Sequence, residues 1–106
     1  MPKKTERINE GDSVTHELVV SESTSGQTLS VRYRAIGGSG TGTELASVSG
    51  AAEDTPITFT GDWSGVAAGS YNLEVLQDYG GASQKPVYPD ASLDEHIIEI
   101  VNRFGI

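Results

Sequence analysis

At 106 residues, with 36% hydrophobic content and 13 glycines, the chain has room for one domain with a lean core and frequent turns, which favours short strands over long helices. It contains no cysteine, which excludes structural disulfides, thiol catalysis and thiolate metal sites together. The net charge of −8 is unevenly placed: Lys3, Lys4 and Arg7 lie at the start, and from Ile8 onward four basic residues stand against fourteen acidic ones.

An acidic body repels phosphate backbones, so no direct nucleic-acid partner is expected. The acidity itself is read as serving solubility. Met1-Pro2-Lys3-Lys4-Thr5-Glu6-Arg7 leads into no apolar stretch, so no signal peptide is read. No run reaches the roughly 18–20 apolar residues of a membrane span. The expectation is a soluble protein made in the cytoplasm.

Taken in order, residues 1–10 are charged and polar with one isoleucine. They read as a flexible N-terminal arm, loose in isolation and able to order against a partner, or as a frayed terminus. Residues 11–106 read as one domain. Glu10-Gly11-Asp12-Ser13 marks a turn into the strand Val14–Val20, with Val14, Leu18 and Val20 on one face and His16 between them. His16 is read as a partly buried strand residue, since nothing near it in sequence supports a ligand or general base. A polar turn, residues 21–28, precedes the strand Leu29–Ile36. Here Leu29, Val31, Tyr33 and Ala35 face inward and Arg32 and Arg34 outward. These two strands are expected to form an antiparallel hairpin, with Arg32 and Arg34 able to pair with Glu17 across it.

Gly37-Gly38-Ser39-Gly40-Thr41-Gly42-Thr43 is glycine-rich, but it lacks the spacing and the Gly-Lys-Ser/Thr of a phosphate-binding loop and no helical pattern follows it. It is read as a loop that could make contacts. Short strands follow at Glu44–Val48 and Pro56–Thr60. Trp63 comes next, placed either to cap the end of the core or to anchor a partner.

Ala67-Ala68-Gly69-Ser70-Tyr71-Asn72-Leu73-Glu74-Val75 is the most telling stretch. A small-residue turn ending at Gly69 opens a strand in which Tyr71, Leu73 and Val75 point one way and Asn72 and Glu74 the other. A glycine shortly before a strand-opening tyrosine is common in β-sandwiches, where the hydroxyl bonds a backbone corner. Asp78-Tyr79-Gly80-Gly81 reads as a hairpin turn, and residues 82–88 as an edge strand blunted by Lys85 and Pro86. Tyr79 and Tyr88 are candidate exposed contact residues.

The last segment, residues 89–106, reads two ways. Ser92 and Glu95 make a capping-box pattern, with Leu93, Ile97, Ile98, Val101 and Phe104 on one helical face. Ile97-Ile98-Glu99-Ile100-Val101 is dense in β-branched residues, and a sandwich needs a closing strand beside the Tyr71 strand, so strand is preferred.

No catalytic constellation stands out, and no cofactor or metal is expected. His16 and His96 are far apart with no motif company, and no Gly-x-Ser-x-Gly elbow occurs. Asp90, Asp94 and Glu95 lack the pattern of a calcium loop and read as solvated carboxylates. A metal-dependent hydrolase would require His16 and His96 to converge with carboxylates.

With Glu10-Gly11-Asp12-Ser13 opening the first strand, Ala68-Gly69-Ser70-Tyr71-Asn72-Leu73-Glu74-Val75 late in the chain and the turn at Asp78-Tyr79-Gly80-Gly81, the sequence resembles small Ig-like β-sandwich structural proteins of tailed bacteriophages. These are capsid-decoration, neck or tail proteins and the N-terminal domains of baseplate upper proteins. The resemblance implies an all-β, single antiparallel Ig-like sandwich of about seven strands. It further implies a non-enzymatic virion component present in many copies or as a homo-oligomer. Other virion proteins, capsid or tail subunits, would be its partners, met through Lys3, Lys4, Arg7, Trp63, Tyr79 and Tyr88. The alternative is a ligand- or carbohydrate-binding Ig-like adhesion module, with Trp63, Tyr79 and Tyr88 as stacking residues.

Overall fold

A computed structural model describes residues 3–89 and 95–102. Among them are eight strands and no helix: β1 (Lys3–Asn9), β2 (Ser13–Val19), β3 (Thr28–Ala35), β4 (Thr43–Ser49), β5 (Pro56–Asp62), β6 (Gly69–Gln77), β7 (Lys85–Tyr88) and β8 (Glu95–Val101). The larger sheet runs β1-β8-β6-β3-β4, with β7 also pairing to β6, and β2 and β5 form a second, two-stranded sheet.

The two sheets share one core. Leu18 and Val20 from the β2 side and Ile57, Phe59 and Trp63 from the β5 side pack with Leu29, Val31, Leu73, Val75, Ile98 and Ile100 of the larger sheet. Strand alternation produces this directly: Ile57, Phe59 and Gly61 are buried between exposed neighbours along β5, and His96, Ile98 and Ile100 are buried between half-buried neighbours along β8.

Three expectations are corrected. The first is the arm: Lys3–Asn9 is strand β1, parallel to β8, with Lys3 opposite Glu95 and Asn9 opposite Val101. It is therefore an eighth strand. Its few apolar residues hid it, because a strand at the edge of a sheet needs only a few inward side chains, here Ile8 and Glu6.

The second is the hairpin. β2 pairs antiparallel with β5, while β3 lies between β4 and β6. The connection between β2 and β3 is long enough to cross between sheets. It is pinned midway, where the Thr24 amide donates to the Ala51 carbonyl at 2.9 Å and the Ala51 amide donates to Thr24 Oγ1 at 3.0 Å. Arg32 consequently does not meet Glu17. Its guanidinium donates to the Thr41 and Gly42 carbonyls, both at 2.8 Å, and to Ser30 Oγ at 3.1 Å. Arg34 donates to the Gly40 carbonyl at 2.6 Å, so both arginines hold the glycine-rich loop.

The third is Tyr88, expected as an exposed contact residue, which is 4% exposed; Trp63, 0% exposed, takes the core place of its two readings and not the partner-anchoring one.

The C-terminal segment is a strand where it is described, β8, antiparallel to β6 from Gly69 opposite Ile100 to Asn72 opposite Ile97. Ser92, Leu93 and Phe104 of the competing helical pattern lie outside the described residues, as do Asp90 and Asp94. The β6–β7 hairpin turns where expected, with Asp78 and Gly80 at positive φ and the Gly81 amide donating to the Asp78 carbonyl at 2.9 Å. Lys85 of β7 pairs with Glu22 at 2.8 Å. Gly69 has φ +152, a conformation that costs a residue with a Cβ. The strand it opens places Tyr71 so that its hydroxyl donates to the Ala67 carbonyl at 2.7 Å.

Candidate functional site

The most concentrated chemistry in the molecule is a carboxylate joining two buried histidines. β1 places Glu6 on the same face as Ile8, β2 places His16 on the same face as Leu18, and β8 places His96 on the same face as Ile98. The three meet where the edge of the larger sheet passes over the smaller one. Glu6 Oε2 lies 2.7 Å from His16 Nδ1, and Glu6 Oε1 lies 2.9 Å from His96 Nε2. Each imidazole is bonded again on its other side. Trp63 Nε1 donates to His16 Nε2 at 3.0 Å, and the Tyr88 hydroxyl lies 2.8 Å from His96 Nδ1. His16 also stacks on Phe59 at 5.2 Å between centroids.

The donor inventory fixes the protons. An indole N–H only donates, so His16 Nε2 is the acceptor and the proton of the neutral ring sits on Nδ1, directed at Glu6. The ionised Glu6 only accepts, so His96 carries its proton on Nε2 and takes the Tyr88 hydroxyl proton at Nδ1. The result is a continuous chain, Trp63–His16–Glu6–His96–Tyr88, in which every ring nitrogen has a partner.

Burial pushes the Glu6 carboxyl up, but the interactions with His16 and then His96 more than offset this and hold it below the ordinary carboxylate value. For His96 burial dominates. Its imidazole is held below the ordinary value of 6.5 despite the nearby Glu6 carboxylate, with Lys4 and His16 adding to the lowering. Lys4 Nζ sits 3.7 Å from Glu6 Oε1 and donates to the Glu17 carbonyl at 3.3 Å.

His16 and His96 thus do converge on a carboxylate, the condition set for metal chemistry. The donor set argues against a metal there. A cation on His16 Nδ1 would force the ring proton onto Nε2, facing the indole N–H donor to donor. Among the described residues no group of three or more histidines and carboxylates is placed to hold a metal ion.

A second feature lies on the opposite side of His96. β8 pairs with β6 up to Asn72 and β7 takes over at Val75, leaving Leu73 and Glu74 between them. A solvent-open pocket of about 210 Å³ sits there, lined by Arg34, Asn72, Glu74, Glu95 and His96 among others. Asn72 Oδ1 is buried with no hydrogen-bond partner.

Of the candidate contact residues, Arg7 is exposed and forked onto Glu99 at 2.9 and 3.1 Å. The Lys4 side chain is partly exposed beside Glu6, and the Lys3 side chain lies outside the described residues. Tyr79 is 47% exposed, with the Arg32 guanidinium 4.0 Å from its ring centroid. These residues do not form one cluster with Trp63 and Tyr88, which belong to the interior chain. Tyr71, Leu73 and Val75 face inward as expected, with Leu73 and Val75 fully buried. Glu6 was missed because it lay in the supposed arm. The available signal was a histidine on each of two otherwise apolar strand faces, since a buried imidazole needs a partner.

Comparison of this chain with protein-family models, with curated proteins and with solved structures finds no match.

Proposed function

We propose that the chain is an Ig-like β-sandwich that serves as a non-enzymatic structural protein of a bacteriophage particle, on the capsid or at the neck or tail, made in the host cytoplasm and docked on neighbouring subunits in multiple copies. The strand order supports the Ig-like part: β2 and β5 pack against a sheet in which the first strand runs parallel to the last, β8, and β8, β6, β3 and β4 follow in turn. The hydroxyl of Tyr71 on the Ala67 carbonyl, just before β6, is the corner expected of such sandwiches.

One observation carries the functional part. The residues with the richest chemistry, His16, His96 and Glu6, are bonded to one another and to Trp63 and Tyr88 in the interior, as befits a polar brace. What faces outward is the material of contacts: strand edges at β1 and β4, the Arg7–Glu99 pair, the glycine-rich loop and Tyr79. Lys4 and Arg7 contribute from a strand instead of an arm.

Quantitative mass spectrometry of purified particles from the source culture, scaled to the major capsid protein, tests this. Near-equal stoichiometry places the protein over the capsid, and a few to a few dozen copies at the neck or tail. Absence from particles overturns the reading and brings forward the carbohydrate-binding module, which retains Tyr79 as a stacking residue after burial of Trp63 and Tyr88.

A further inference from the structure

β1 is the terminal strand of the larger sheet and has one neighbour there, β8. It is held by the ladder to β8, the buried Ile8, the Arg7–Glu99 pair, the Lys4 bond to the Glu17 carbonyl, and the bonds from Glu6 to His16 and His96, of which only the Glu6 bonds involve the imidazoles. A tight turn at Gly11, φ +88, joins it to β2, with the Asp12 amide donating to the Asn9 carbonyl at 3.2 Å.

We propose that Glu6 and the two histidines form a proton-operated latch: adding a second proton to the imidazoles frees β1 from the edge of β8 while the rest of the larger sheet stays folded. The vacated β8 edge then becomes a row of unpaired backbone groups, able to take up a strand.

The two arms of the latch respond unequally. A second proton on His96 goes to Nδ1, where the Tyr88 hydroxyl can turn and accept it, so this arm tolerates protonation. A second proton on His16 goes to Nε2 and sets two N–H groups face to face, because Trp63 has no acceptor to offer. His16 is 1% exposed, so that donor finds no water while the latch is closed. Lifting β1 hydrates Glu6 and opens the Nδ1 side of His16, which leaves the ring room to turn its second N–H away from the indole and towards water.

The surrounding charges divide. Lys4, beside Glu6, opposes a second positive charge, as do Arg32 and Arg34 across the pocket from His96. Glu74 and Glu95 on the same pocket favour it. The groups packed on His16 from the smaller sheet, Phe59 and Trp63, are uncharged, with Tyr33 behind the indole. Among the described residues Glu6 is the carboxylate in contact with His16, and Glu6 is the group that departs with β1.

Hydrogen–deuterium exchange of the full chain, read by mass spectrometry at about pH 7.5 and about pH 5 and corrected for intrinsic exchange, tests the latch. Peptides covering β1 are expected to be less protected than those covering β3 and β6 at both pH values, and to lose at least about tenfold in protection at the lower one. In Glu6→Gln the β1 peptides should exchange fast at both, with a pH effect under about threefold. Unchanged β1 protection in the natural chain overturns the proposal. So does β1 protection equal to that of β3 and β6 at both pH values, which would mean exchange by global unfolding alone. If Glu6→Gln does not fold, the comparison in the natural chain decides.

Discussion

The indole nitrogen of Trp63 lies 3.0 Å from Nε2 of His16, and this bond determines which nitrogen of His16 carries the proton. Because indole only donates, the neutral ring is protonated at Nδ1, whereas the geometry at Glu6 and Tyr88 gives His96 the opposite form, protonated at Nε2. Long-range ¹H–¹⁵N correlation spectra at neutral pH should therefore show the two histidines as opposite tautomers. An Nε2-protonated His16 would mean that the Trp63 bond does not form and that the site is open to a different ligand on Nδ1.

Stability should fall as the solution is acidified, in two stages. The folded His96 binds its second proton less readily than the unfolded chain does, because burial lowers its pKa below 6.5. Its contribution is therefore complete above about pH 7 and is lost progressively as pH falls below the unfolded value towards the folded one. Glu6 is also lowered, from 4.5, so a second loss begins near that value and continues as the folded carboxylate takes up its proton. Urea denaturation midpoints across this range should be level above about pH 7 and then decline. A midpoint that rises on acidification through the imidazole range would contradict the lowered pKa of His96 in the folded chain.

Much of this fold is legible in the sequence because alternation survives wherever a strand has one buried face. β5 and β6 read correctly from Ile57 and Phe59 and from Tyr71, Leu73 and Val75, and the β-branched run Ile97–Val101 identified β8. Pairing was not legible. Nothing local in β2 or β3 says that one joins β5 and the other lies between β4 and β6, since that choice is made by the core they share. β1 was hidden for a different reason. It fills its inward positions with Glu6 and Ile8, and Glu6 becomes an inward residue only because His16 and His96 wait for it from β2 and β8. A polar chain assembled from four strands and the loop after β5 leaves no periodic mark in any one of them.

The Tyr71 hydroxyl ties the start of β6 to the Ala67 carbonyl at 2.7 Å, and its ring meets Tyr33 edge-on with centroids 5.6 Å apart. Tyr71→Phe keeps the ring contact and removes the bond. The expected loss is about 0.5–1.5 kcal/mol, read as a lower urea midpoint with an unchanged slope. Tyr71→Ala should lose more, because the contact with Tyr33 goes with it. If the phenylalanine variant matches the natural chain, the corner does not contribute to holding β6.

Gly61 sits inside β5, opposite Val14 of β2, where a residue with a side chain would ordinarily favour the strand. Its position beneath the His16–Trp63 bond reverses that preference. A Cβ at Gly61 would lie 2.8 Å from His16 Nε2 and 2.9 Å from Trp63 Nε1, the two atoms that bond each other. Neither ring can move aside freely: His16 is held by Glu6 and stacked on Phe59, and Trp63 is packed against Tyr33. Gly61→Ala is therefore expected to destabilise by about 1–3 kcal/mol, through overpacking and the strained bond together. The two residues are in contact, so their effects should not add: in a Trp63→Phe background, where no indole N–H remains to be displaced, the cost of Gly61→Ala should shrink by at least about 0.5 kcal/mol. Urea denaturation of the four proteins in this cycle measures that coupling. A neutral or stabilising Gly61→Ala would show that the two rings do not approach as closely as the Trp63–His16–Glu6 chain requires.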